Sequence, residues 1–481
     1  MKKSIGILGA VVVIGVAYAG ASWYVGKQAQ TTLERVVAQA NQRFVSVLGP
    51  NLAGSGLKLA ISDYKRHVFS SDVIYTLQLT DSSGQPGEYI FSDHLQHGPF
   101  PAAALKNGDF SPQLAFSRAQ LIPSAVTQKW FDSLNGETPI VATTHVGFSG
   151  SGRSEWEFKP LAIAEDGDSV TFSGGVVDVT FSKDFKDSTV AGQFESIAYV
   201  SARNGEDMQI KGIKLNSKTT TSADANVQLQ SSASADSMVV MSADADPLQA
   251  EQIAANLNSL QKGNLLEGSL RYDFGRLKVG QSELGSLSVG AKGADFDVNA
   301  LTALAQEYDR INAARPQSDE NIELTDEEAA LLREKLLAVL ATDPIFSIDP
   351  FIWKNDQGES SLALTVNLSG EAAKAAGSGT QFDLLLPQII KLLTLDVSIS
   401  KPMFVKAFSQ LQGGGAVDPQ TATVAAFVFD QYAGRLGRAG LVNMEDDKAS
   451  TAIKYESNSV VVNGKAMSMV EFMQRAISVM M

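Results

Sequence analysis

Between residues 57 and 293, apolar and polar side chains alternate in short runs separated by turn residues. A period of two is expected of strands with one covered face. Residues 140–148, 155–162, 171–181, 190–200, 208–215 and 269–277 fit it. The run 171–181, TFSGGVVDVTF, carries Gly174-Gly175, which marks a bulge or bend. Turns are read at Glu165-Asp166-Gly167-Asp168 and at Arg203-Asn204-Gly205. The pattern predicts a long antiparallel meander and not a βαβ series. One short helix is expected over 124–134, opened by Pro123 and closed by Asn135-Gly136. Residues 216–246, rich in Ser, Ala, Thr and Asp, read either as exposed strands or as a partly disordered insertion.

The period then changes. Residues 298–314 and 325–341 show helical spacing. Thr325 with Glu328 predicts a capping box, and Asp326, Glu327 and Glu328 suit the positive end of the helix dipole. Strands are expected over 345–353 and 361–368, joined by Asn355-Asp356-Gln357-Gly358. Helices are expected over 382–393, 402–412 and 419–432, with Gly413-Gly414-Gly415 linking the last two. A hairpin over 453–462 around Asn458-Ser459 and a helix over 467–479 end the chain. The stretch 276–289, RLKVGQSELGSLSV, alternates with glycine steps at Gly280 and Gly285. It fits a curved sheet whose apolar inner face could take acyl chains, or an ordinary sheet packed on the helices.

The N-terminus reads differently. Lys2 and Lys3 precede an uncharged, mostly apolar run of 21 residues, 5–25. A helix of that length covers about 30 Å, the thickness of a bilayer core. Trp23 and Tyr24 stand at its far end, where such rings meet the headgroups, and the lysines place the N-terminus in the cytoplasm. A cleavable signal peptide is the competing reading, with Ala17-Tyr18-Ala19 or Ala19-Gly20-Ala21 as its cleavage site. The run exceeds the usual apolar length of such peptides, which favours an anchor. Gly15 and Ala19, four apart, would let two such helices approach closely, so self-association is expected. Leu33, Val36, Val37, Ala40, Phe44 and Leu48 share one helical face beyond it, ended by Gly49-Pro50. The expected fold is therefore α+β. It comprises a cytoplasmic stub and transmembrane anchor (1–27), an amphipathic helix (28–50), a β-rich domain (51–295) forming an elongated, mainly antiparallel body, and a mixed α/β domain (296–481) carrying the helices.

Composition narrows the function. The chain has 481 residues, with 39 Lys+Arg against 53 Asp+Glu and a net charge of −14. This balance argues against nucleic acid and against broad adsorption to an anionic surface. Cysteine is absent, which removes disulfides, thiolate metal sites and a cysteine nucleophile. Of four histidines, His67, His94 and His97 lie close together in sequence, with Asp93 beside His94. Such groups could hold zinc or serve as acid and base in a metal-dependent hydrolase. The spacing is loose, however, and His97-Gly98-Pro99-Phe100-Pro101 reads as a rigid turn whose histidine bonds backbone carbonyls. Gly147-Phe148-Ser149-Gly150-Ser151 lacks the last glycine of a nucleophile elbow. The acidic residues of 318–328 lack the ordering of a calcium loop, and no phosphate-binding glycine loop is present. No cofactor is expected.

Several segments resemble the YdgA-like, or DUF945, family. They are the anchor and first helix, Tyr64 to Ser71 (YKRHVFSS), His97-Gly98-Pro99-Phe100-Pro101, Asn135-Gly136-Glu137-Thr138-Pro139, Phe172-Ser173-Gly174-Gly175 and Trp353 to Ser360 (WKNDQGES). Their order along the chain carries the likeness. The resemblance implies a single-pass protein of the Gram-negative inner membrane with its bulk in the periplasm, and brings no biochemical activity with it. A non-enzymatic, self-associating envelope protein is the expectation. The architecture is also similar to that of AsmA-like envelope proteins, which are linked to lipid movement; this fold-level analogy implies a groove for phospholipid as the alternative.

Overall fold

The computed structural model describes residues 57–481 apart from 81–85, 107, 203–204, 314–323, 377–387, 413–414, 416, 446 and 481. Before residue 57 it describes 22, 26, 27, 29–38 and 41, and residues 29–38 are helical. Among the described residues no helix is long and apolar enough to cross a membrane. Residues 5–21 and 23–25, with Gly15, Ala19, Trp23 and Tyr24, lie outside the described set.

The strands join one 22-stranded sheet, and alternation explains how. Strands β1 (Lys58–Arg66), β2 (Ser70–Thr80), β3 (Pro86–His97), β4 (Ala115–Ile122), β5 (Ile140–Val146) and β6 (Gly152–Phe158) lie side by side and antiparallel. Short helices α1 (Ala102–Lys106) and α2 (Gln128–Ser133) interrupt them. The chain then leaves the ladder as a hairpin of β7 (Leu161–Glu165) and β8 (Asp168–Phe172) and returns as β9 (Gly175–Phe181) beside β6. Gly174 makes the return, at φ +75°, where a Cβ would stand 2.5 Å from the Phe158 carbonyl oxygen. The runs expected over 155–162 and 171–181 thus each break in two. β10 (Ser188–Ser201) pairs with both β9 and β8.

Five long strands follow: β11 (Glu206–Thr221), β12 (Val227–Ser242), β13 (Ala245–Lys262), β14 (Leu265–Val279) and β15 (Ser282–Asp297). The Ser/Ala/Thr-rich stretch is therefore ladder, in β11 and β12. β13, the longest at 18 residues, is rich in helix formers. Pairing on both edges, with β12 and β14, overrides that local preference. The stretch 276–289 is a hairpin corner: Gly280 turns the chain at φ +57°, and Gly285 sits at φ +88° where the register shifts.

Helices α3 (Val298–Ala313) and α4 (Asp326–Leu340) leave the sheet, and β16 (Ile345–Asn355) re-enters beside β15. The capping box forms: the Glu328 amide donates to Thr325 Oγ1 at 3.2 Å, and the Thr325 amide to Glu328 Oε2 at 2.9 Å. β17 (Gly358–Leu368), α5 (Gly370–Ala376), β18 (Ile390–Ser400), α6 (Lys401–Gln412), α7 (Pro419–Arg438), β19 (Asn443–Glu445), β20 (Lys448–Glu456), β21 (Ser459–Val462), β22 (Lys465–Ser468) and α8 (Met469–Met480) complete the chain. Of the helix expected over 382–393, residues 382–387 lie outside the described set, and residues 390–393 are a correction. From Ile390 the chain is strand, because Leu393, Leu395 and Val397 alternate and find partners on both β17 and β20. Helix α7 runs past the expected end at 432, with Asp418 as its cap accepting from the Thr421 amide at 2.8 Å.

Candidate functional site

Two regions concentrate the candidate chemistry. The first is built where β2 and β3 pair. Strand alternation puts Asp93, Leu95 and His97 on one face of β3 and His94 on the other. The structure therefore does not gather His94, His97 and Asp93 at one point.

Asp72 lies directly across from His94, and His67 sits in the turn between β1 and β2. His94 Nδ1 is 2.7 Å from Asp72 Oδ1 and His67 Nε2 is 3.3 Å from Oδ2, all on the exposed side. The His94 hydrogen bond holds the Asp72 carboxyl below its usual range. Among the described residues no three His, Cys, Asp or Glu side chains are arranged to hold a metal ion.

Asp93 is buried, accepts from Ser117 Oγ at 2.7 Å and faces the Tyr75 hydroxyl at 3.4 Å. Burial pushes its carboxyl above the usual range and keeps the Tyr75 phenol protonated. His97 is also buried. Its Nδ1 is 3.3 Å from the Val68 carbonyl and its Nε2 is 2.9 Å from Ser71 Oγ. Nδ1 must then donate, so Nε2 accepts from the serine. Burial lowers the imidazole pKa and favours this neutral form.

The same histidine receives the start of the chain. Ser22 Oγ donates to the Gly98 carbonyl at 2.5 Å. A Cβ on Gly26 would stand 2.3 Å from the His97 ring, so only glycine lets the backbone pass. Tyr64 Oη lies 3.0 Å from Ser71 Oγ and 3.3 Å from the Gly26 carbonyl. Further on, Asn41 copies a strand partner: its side chain donates to the Leu59 carbonyl and accepts from the Leu59 amide, both at 2.8 Å. The HGPFP motif is thus the seat on which the segment before β1 is clamped. Its role was legible as a rigid turn; its partners, Ser22 and Gly26, carry no sequence signal.

The second region is one face of the long sheet. Direct cross-strand neighbours share a face. One such line runs Leu257, Leu270, Ala291, Ile348, Leu364, Leu395, Ile453 and Val462, across β13 to β18 and on through β20 and β21. The next line runs Ala255, Tyr272, Val289, Phe351, Leu362, Val397 and Thr451. A third holds Ile253, Phe274, Leu287 and Trp353. The Trp353 indole N–H donates to the Leu284 carbonyl at 2.7 Å, so its one polar atom is satisfied. The opposite face carries ion pairs: Arg271 pairs with Asp273, and Lys292 with Asp349.

Helices α3, α4 and α6 meet β15, and α6 also meets β17 and β18. Ser360 Oγ contacts Met403 of α6; Leu340 and Leu337 of α4 pack with Leu368; α7 and α8 close over Tyr455, Leu393 and Ile453. The apolar side chains between these contacts stay partly exposed. Tyr272 is 44% exposed, and none of the apolar residues named on β13 to β18 is buried. An uncovered apolar surface on this scale marks an interaction site.

The fold and these two regions define a class: a protein built on one continuous antiparallel sheet, with an N-terminal clamp and an open apolar face, and with no catalytic constellation among the described residues. The chain belongs to the family described as "Bacterial protein of unknown function (DUF945)", which matches residues 1–470. Protein YdgA of Escherichia coli (strain K12) is 26% identical over 490 residues, covering 98% of this chain and 96% of that protein. Uncharacterized protein YihF of the same organism is 24% identical over 487 residues, covering 97% of this chain and 98% of that protein. No solved structure matches.

Proposed function

We propose that the open apolar face holds the acyl chains of lipid, in a protein anchored in the bacterial inner membrane by residues 5–25 with its sheet in the periplasm. The observation that carries this reading is the unbroken apolar line from Leu257 to Val462. The helices cover Ile453 and Val462, so the open part runs from Leu257 to Leu395; with strands about 4.8 Å apart, its five intervals span about 24 Å. One leaflet of a bilayer core is about 15 Å thick, so the line accommodates a full acyl chain along its length. The opposite face, with its Arg271–Asp273 and Lys292–Asp349 pairs, stays in water.

The test is native mass spectrometry of the full chain extracted in mild detergent. Co-purified phospholipid is expected. Leu270→Asp and Leu364→Asp place a charge on the floor and should release the lipid while leaving far-ultraviolet circular dichroism unchanged. A ligand-free wild-type chain overturns the reading.

A further inference from the structure

We propose that the outward face of α7 docks on a bilayer bearing anionic phospholipid. Ala425, Phe429 and Ala433 are buried and define the inner side of this helix. Val424, Phe427, Gln431, Arg435 and Arg438 follow each other at three- and four-residue spacing on the opposite side. Val424 is 55% exposed and Phe427 65%, and both arginines are exposed. An outward helix face in water is normally polar. Here apolar side chains occupy its first half and cations its last turn. Neither Arg435 nor Arg438 has a carboxylate partner among the described residues, whereas nearby Lys401 pairs with Asp430 and Arg475 with Glu471.

The arginines also frame a cleft. A space of about 360 Å³ opens between the C-terminal ends of α7 and α8, lined by Arg435, Arg438, Ala439, Ser478 and Val479. Arg475 satisfies the Ala439 carbonyl at 3.1 Å, so a helix-end carbonyl is already capped and the two free guanidiniums are not needed for it. In a chain of net charge −14, two unpaired arginines beside the Ser478 hydroxyl, with the exposed Phe427 about 12 Å further along the same helix face, complement an anionic headgroup and its acyl chains. The docking face is independent of the apolar sheet: the surface is bound as a surface, whatever the sheet carries.

The experiment uses the full chain in phosphatidylcholine nanodiscs, floated with vesicles of phosphatidylcholine alone or mixed with phosphatidylglycerol. Flotation is expected only with the mixed vesicles, and it should weaken with salt. Arg435→Glu with Arg438→Glu should weaken it about tenfold or more. Arg435→Lys with Arg438→Lys should retain most of it, which also shows that the helix end still folds. Phe427→Ser should weaken it at unchanged charge. Equal flotation on both vesicles, full binding by the double glutamate variant, a self-associated species in which this face is cross-linked to a second copy, or capture of inorganic phosphate without flotation would each overturn the proposal. Lipid retained by the double glutamate variant in native mass spectrometry keeps this test separate from that of the sheet.

Discussion

Strands β2 to β5 and strands β13 to β18 obey the same rules of alternation and antiparallel pairing, yet they end in opposite states. In the first group Val73, Leu95, Phe116, Leu121, Val141 and Ala142 are buried. In the second, Ala250 is the one buried apolar side chain among the described residues of β13 to β18. Apolar content does not make the difference, since Leu, Ile, Val and Phe fill both. Cover does. The N-terminal strands are closed partly by the chain itself, with the Trp130 ring of α2 5.8 Å from the Tyr89 ring of β3 and Gly26 laid against His97. The later strands spread wider than their helices reach. One sheet thus contains a region held by burial and a region held by its ladder, and only the second has surface left for a ligand.

The comparison breaks first at Leu121, which is fully buried. Leu121→Ala leaves a cavity and should cost about 2–5 kcal/mol. Urea titration of the full chain, followed by Trp fluorescence, reads it as a lower midpoint. An effect below about 1 kcal/mol would mean that the N-terminal strands are as loosely covered as the later ones.

The clamp is the next target. His97→Ala removes the acceptor of the buried Ser71 hydroxyl, which keeps only its bond from Tyr64, and losing such a bond costs about 1–3 kcal/mol. The loss should show as faster proteolysis before β1, where Ser22, Gly26 and Asn41 are tied down. Acid should mimic it. Burial lowers the folded pKa of His97 below the unfolded value of about 6.5. The unfolded chain then binds more protons in the window between the two values, so stability rises with pH there. The contribution is complete above about 6.5 and is lost as pH falls toward the folded value. Protection of the segment before β1 should decline over that window, and His97→Gln should flatten the decline. Protection that holds steady through acidification would show that His97 does not bear on the clamp.

How far the sequence reveals all this depends on the range of each interaction. The capping box at Thr325 and Glu328, the bend at Gly174 and the hairpin at Asn458 are local, and local residues specify them. Residues 390–393 read as helix in sequence because leucines spaced for a helix also alternate, and only β17 and β20 decide between the two. His94 and His97 look like a pair in sequence, and strand alternation alone separates them onto two faces. The meeting of Gly26 with His97 links positions 71 residues apart, so neither glycine nor histidine announces it. The open face was legible only in part: Gly280 and Gly285 marked a change of direction, but the apolar line appears once eight strands are placed in register.

Thr325→Ala gives a calibrating value between the two regions, since the box joins neither. Loss of a cap and its return bond should cost about 1 kcal/mol. Its readout is earlier exchange of the amides in the first turn of α4, and unchanged exchange there would remove the box as a stabilising element.

Leu270→Ala should have the smallest effect on stability, and it divides the two regions most sharply. The side chain has the same chemistry as Leu121 and loses the same carbons on truncation. What differs is how much water it already meets. Burial stabilises by about 25 cal/mol for each Å² removed from water, so a side chain left partly in water has less to lose. Its neighbours Leu257 and Ala291 are likewise uncovered, and truncation enlarges an open surface without creating a void. The expected cost is below about 1 kcal/mol in the same urea titration, against about 2–5 kcal/mol at Leu121. If Leu270→Ala costs as much as Leu121→Ala, the face is closed in solution, and neither the contrast between the regions nor acyl-chain binding on that face survives.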